Sequence, residues 1–185
     1  MVIDEKNRFI YIHIPKAAGT TITNFLIKNI KSAEKRVINK DTHHNIKAFL
    51  DNDLINHSLD NYFKFTTVRN PWDWYVSLYE YTKRGDCHEW RLFNNGKSLS
   101  FKDWLNKIIN VEDYDNVINQ FKNDKTSTST LYKSIKFSNL NVGWLTHRYI
   151  YSTCLNWKHI FKNMNFEDFV KNEHEFNILD DIYKI

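Results

Sequence analysis

Phe9-Ile10-Tyr11-Ile12-His13-Ile14-Pro15-Lys16-Ala17-Ala18-Gly19-Thr20-Thr21 decides the reading of this chain. Its first residues are β-branched and aromatic, the composition of a buried strand. Pro15 ends the run because it lacks a ladder donor and fixes its own φ. Gly19 opens a backbone path closed to larger residues, and Thr20 and Thr21 stand where a helix begins. Beyond them Ile22, Phe25, Leu26, Asn29 and Ile30 recur at helical spacing and predict one apolar face. The segment reads strand, tight loop, helix. A loop so placed directs backbone N–H groups and the positive helix end at one point, which suits phosphate or sulfate. Lys16 adds a cation on a flexible stem.

The pattern occurs a second time. Tyr62 to Val68 reads as a strand, and Arg69-Asn70-Pro71 stops it. Asn70 is a good N-cap and Pro71 fits the first turn, so a helix is predicted from Pro71 to Lys83, closed by Gly85-Asp86. Tyr75, Leu78, Tyr79 and Thr82 form its expected core stripe, with Ser77 roughly opposite. Each unit thus sets a cation at the carboxyl end of a strand, Lys16 in one and Arg69 in the other. Ligands of open α/β sheets bind at that edge. Either cation alone is as well explained by solvation or a nearby carboxylate.

Elsewhere the chain is less explicit. Lys31 to Lys40 reads as a loop or frayed helix end. Asn45 caps a short helix with Ile46, Phe49 and Leu50 inward, which leaves His43 and His44 in the loop before it. Asp51 to Asp60 is turn-like, and residues 86 to 98, with Asn94-Asn95-Gly96, read as an exposed loop. Ser100 and Asp103 resemble a capping box ahead of Phe101, Trp104, Leu105 and Ile108. Val111 to Phe121 suggests another helix, Asn123 to Thr130 a mobile polar stretch, and Phe166, Phe169 and Val170 a last helix after Asn165. Trp144 to Cys154 mixes aromatic and apolar residues and fits helix and strand equally. Strands separated by helices predict an α/β fold, a central parallel sheet flanked by helices, in a single domain over residues 1–185.

Composition sets the outer limits. Hydrophobic residues at 42% and aromatics at 16% exclude a wholly disordered chain. A net charge of only +4 argues against a nucleic-acid binder. Cys87 and Cys154 make neither a disulfide framework nor a zinc cluster, and free thiols are the simpler reading. No apolar stretch has the length of a membrane span, and Met1 to Lys6 lacks a secretory h-region, so a cytoplasmic protein is expected.

Taken together, the two units resemble the PAPS-dependent sulfotransferases, in the branch that includes the heparan sulfate 2-O- and 6-O-sulfotransferases and small bacterial and phage relatives. Ile12 to Thr21 is similar to the family's 5′-phosphosulfate loop. Phe65-Thr66-Thr67-Val68-Arg69-Asn70-Pro71-Trp72-Asp73-Trp74-Tyr75-Val76-Ser77 is similar to its 3′-phosphate element, in the same order. The likeness is strong in the first half and slight in the second, where Gly143 to Tyr149 offers only an echo.

The resemblance implies a P-loop-like nucleotide-binding fold with PAPS as donor, its 3′,5′-bisphosphate PAP as product, and no metal. Lys16 would contact the phosphosulfate and steady the leaving oxygen. The N–H groups of Ala17, Ala18, Gly19, Thr20 and Thr21, with both threonine hydroxyls, would cradle it. Arg69 and Ser77 would grip the 3′-phosphate. A histidine ahead of a short helix would take the proton of an acceptor hydroxyl on a glycan or small alcohol. The apolar register favours His43 in that role, with His44 the alternative, while His13 reads as structural or as a support behind the residues that touch the ligand. Trp72, Trp74 and Trp90 are aromatic candidates for stacking on a sugar, though such residues are more often core. Two rivals stand beside this reading. One is a P-loop-like kinase, weakened because Lys16 precedes Gly19 instead of following it. The other is a nucleotide- or carbohydrate-binding protein of the same fold with impaired catalysis.

Overall fold

Alternation along the first two strands sorts the interior onto two faces. In the computed structural model, which describes residues 1–52, 59–84, 99–109, 138, 140, 142–176, 179 and 181–184, β1 (Val2–Asp4) and β2 (Phe9–Ile12) are both almost fully buried. Ile3, Ile10 and Ile12 pack with Ile46 and Phe49 of helix α2 (Ile46–Asp51). Val2 and Tyr11 point the other way, toward Leu26 of α1 (Gly19–Asn29). Successive strand residues project to opposite faces, so helices cover both sides.

The sheet has the order β3-β1-β2-β4-β5, with β3 at Ala33–Lys35, β4 at Phe63–Val68 and β5 at Asp181–Lys184. β2 pairs in parallel with β4, and β4 with β5, as the α/β reading requires. β1 runs antiparallel to both β2 and β3, which makes the sheet mixed. The connection into β2 is tight enough for a hairpin because Asp4 accepts from the Asn7 backbone at 2.9 Å and Arg8 turns through φ 54°. The expectation of a loop or frayed helix over Lys31 to Lys40 is corrected by β3. Its Ala33 is buried while Glu34 and Lys35 are exposed, a charged border that discourages further pairing.

Two helix faces also need correction. In α1 the buried residues are Gly19, Thr23 and Leu26, while Phe25 is 61% exposed. Ile22, Leu26 and Ile30 pack toward Val2, Tyr11 and Ala33 as expected, and it is Phe25 that falls outside the stripe. In α3 (Pro71–Thr82) Trp74 joins Leu78 and Thr82 inside, and Tyr75 and Tyr79 are half-buried. These side chains pack with Trp104 of α4 (Phe101–Ile109) and Trp144 of α5 (Trp144–Thr153).

The segment from Trp144 is thereby a helix, ending before Cys154. Ile150, Tyr151 and Cys154 build a second core with α6 (Trp157–Asn163) and with Phe169 of α7 (Phe166–Phe176). Val170 of the expected last stripe is exposed. The caps behave locally: Asn45, Asn165 and Ser100 each accept from a backbone N–H three residues on, at 2.8, 2.8 and 3.1 Å. The readings for Gly85-Asp86, residues 86–98, Val111 to Phe121 and Asn123 to Thr130 lie outside the described residues, as do Cys87 and Trp90.

Candidate active site

The loop between β2 and α1 is built from unusual backbone. Lys16 and Ala18 hold φ values of 65° and 55°, in the left-handed region that costs ordinary residues about 1–2 kcal/mol each. Ala18 is the N-cap of α1 and supplies no side-chain cap. The Ile22 N–H to Ala18 carbonyl contact, at 3.0 Å, opens the helical ladder. The N–H groups of Gly19, Thr20 and Thr21 therefore precede that ladder and have no intrahelical acceptor. Ala17 differs from its neighbours, because its N–H closes a turn onto the Ile14 carbonyl at 3.3 Å. Thr20 and Thr21 are exposed, Lys16 half-buried.

Distant residues hold the strain in place. Thr67, near the end of β4, donates its hydroxyl to the Ala17 carbonyl at 2.7 Å. Having spent its one proton there, it accepts from the Tyr11 hydroxyl, 2.9 Å away. The Trp74 indole donates to the Pro15 carbonyl at 2.9 Å, which explains why Trp74 is interior. Trp72, two residues earlier, is 72% exposed.

Arg69 follows β4 directly and is half-buried, as is Ser77 on α3. Since Ile12 and Thr66 are register partners in a parallel pair, Lys16 and Arg69 leave the sheet at the same edge. The Lys16 ammonium rests 4.3 Å above the ring of Tyr81, one helical turn beyond Ser77 on the same face of α3. Lys16 is thus brought to the helix that carries Ser77.

The histidines form a second group against this loop. His13 is 8% exposed and occupies the space where a side chain on Gly19 would stand: a Cβ there would lie 1.9 Å from its Cδ2. Burial, with the charge of neighbouring His43 adding to it, lowers His13 to about 3, so its ring is neutral near pH 7. The rings of His13 and His43 meet edge to face at 4.6 Å. His43 keeps its side chain 35% exposed, whereas that of His44 is only 9% exposed. The His44 Nε2 is buried without a hydrogen-bond partner among the described residues, and burial holds this ring below the ordinary histidine value despite Asp41.

The echo in the second half is internal. His147 is buried and lowered to about 4, chiefly by burial, with its ring nitrogens 3.3 Å from the Gly143 carbonyl and 3.2 Å from the Ser138 hydroxyl. No group of histidine, cysteine and carboxylate side chains among the described residues is arranged to hold a metal ion. Nor is any described helix long and apolar enough to cross a membrane.

A family model described as the Sulfotransferase family matches residues 1–182. The chain belongs to that sulfotransferase family. Sulfuryl transfer is accordingly its class of chemistry, and the α/β fold agrees with it. Neither the comparison with curated proteins nor that with solved structures gives a match. Within this sulfotransferase, sequence reasoning overlooked Thr67 and Tyr81, and weighed Trp74 only as a core or sugar-stacking residue, not as the donor to the Pro15 carbonyl. Thr67 left a faint signal as a polar residue at the end of an apolar strand. Trp74 and Tyr81 left none beyond their helical spacing.

Proposed function

We propose that the chain transfers the sulfuryl group of PAPS to a hydroxyl, by in-line displacement with His43 as the base. The observation that carries this reading is the uncapped, left-handed start of α1, set at the same sheet edge as Arg69. Backbone N–H groups and the positive helix end suit a terminal anion, and a guanidinium suits a second phosphate. When bound, PAPS supplies the sulfuryl group and a stable leaving bisphosphate. The chain's own part is electrostatic and positional. The amides of Gly19, Thr20 and Thr21 face the phosphosulfate, Lys16 swings from Tyr81 to the leaving oxygen, and Arg69 and Ser77 hold the 3′-phosphate. His43 takes the acceptor's proton as its oxygen bonds to sulfur. The greater exposure of His43 and the burial of His44 favour this assignment.

A carbohydrate is the first choice of acceptor, from the resemblance of both motifs to the heparan sulfate branch and from the exposed Trp72 ring, a surface suited to a sugar. Calorimetry with 3′-phosphoadenosine 5′-phosphate should show tighter binding than ATP with magnesium, and the reverse order would favour a kinase. Arg69→Ala should weaken binding of that bisphosphate by about 10–100-fold while sparing its analogue without the 3′-phosphate. His43→Ala should lower transfer from labelled PAPS to a glycan panel by at least about 100-fold with binding intact. Full transfer by that variant would remove His43 from its role, and stable binding with no transfer by the unmodified protein to any acceptor would favour the impaired-catalysis alternative.

A further inference from the structure

Building on the reading of His43 as the base, we propose that Asp41 is a positioning residue that keeps the His43 proton on Nδ1 and leaves Nε2 to receive the acceptor's proton. Asp41 Oδ1 accepts from the His43 backbone N–H at 2.8 Å and faces His43 Nδ1 at 3.1 Å. An ionised carboxylate only accepts, so the ring nitrogen it faces carries hydrogen. In a neutral imidazole the other nitrogen then holds the lone pair. The second carboxylate oxygen stands 3.9 Å from His44 Nε2, beyond hydrogen-bond reach, so the two adjacent histidines are served unequally.

Asp41 is itself tightly seated. Its backbone exchanges hydrogen bonds with Ile38 in both directions, at 3.0 and 2.9 Å. Asn39 and Lys40 between them hold φ values of 50° and 66°, the signature of a primed two-residue turn. Lys40 accepts a left-handed backbone in a place where glycine is the usual occupant. Ile38 anchors the turn against the cluster of Ile3, Ile10 and Ile12. The His43 ring also meets the His13 ring edge to face at 4.6 Å. The carboxylate and the ring contact together restrict the orientation of His43 before any substrate arrives.

The test reads the His43 ring directly, by ¹⁵N NMR of the substrate-free protein. The unmodified protein should show the Nδ1–H tautomer, and Asp41→Asn should show a mixture enriched in Nε2–H. Asp41→Asn should also lower kcat by about 100-fold, with KM for PAPS and affinity for 3′-phosphoadenosine 5′-phosphate changed by less than about twofold. A dominant Nε2–H form in the unmodified protein would overturn the proposal even if the variant did not fold. So would an unchanged tautomer in the variant, or a raised KM at constant kcat. Retained transfer by His43→Ala would instead overturn the base assignment, and the tautomer measurement would still decide what Asp41 does to the ring.

Discussion

The two strand–loop–helix units begin their helices in opposite ways. At α3 the Asn70 side chain accepts from the Trp72 N–H at 3.0 Å and Pro71 contributes no N–H, so that end is closed. At α1 the N-cap is a left-handed alanine with no side-chain bond, so that end is open. One sequence pattern therefore yields two chemistries. Under the proposed function, the first unit would meet an anion with its backbone, and the second would use side chains, Arg69 and Ser77. The difference lies in two adjacent positions, Ala18-Gly19 against Asn70-Pro71.

The largest effect expected from breaking this contrast is at Gly19. Gly19→Ala drives a Cβ into the His13 ring, and should cost about 3 kcal/mol in urea unfolding together with most nucleotide affinity. Adding His13→Ala should restore part of the stability; no recovery would show that the ring does not set the cost. Thr67→Val leaves the Ala17 carbonyl without its hydroxyl partner and should cost about 2 kcal/mol. It should also weaken bisphosphate binding, because the open end loses its support, and intact affinity would sever that link.

Acid should act next. Since His13 is lowered from 6.5 to about 3, the unfolded chain binds the extra proton between those values. Its contribution is fully present above the unfolded value and is lost as pH falls toward the folded one. From about pH 7 to about pH 5.5 that loss is on the order of 1 kcal/mol. His147, lowered to about 4, adds a loss of the same sign. Unfolding midpoints should show a shallower acid decline in His13→Gln than in the unmodified protein, and parallel declines would contradict the burial argument. The smallest effect belongs to the closed end: Asn70→Ala should cost about 0.5–1 kcal/mol with nucleotide affinity unchanged.

What was legible in the sequence was local. Strand runs, the Asn45 and Asn70 caps and the Ser100 box depend on neighbours a few residues away, and all appear as read. β1 and β3 were missed because strands of three residues carry too little alternation to be seen, and form only when paired. Trp74 was left out of the α3 stripe because its partner, the Pro15 carbonyl, lies far off in the chain. On α1 the Ile22, Leu26 and Ile30 face appears as read, while Phe25 was misplaced because hydropathy favours it and cannot anticipate the contact of Gly19 with His13. The histidine loop was placed correctly before α2, but the exposure that separates His43 from His44 arises only on packing.

The Thr67 hydroxyl has a consequence of scale. It stands on β4, a few residues before Arg69, yet holds the backbone of the loop that follows β2. Neighbouring strands lie about 4.8 Å apart and resist change in that distance. The two proposed anion seats are consequently mounted on one stiff frame. The sheet would serve as a gauge, admitting nucleotides whose two charged ends match its span and rejecting those whose ends do not.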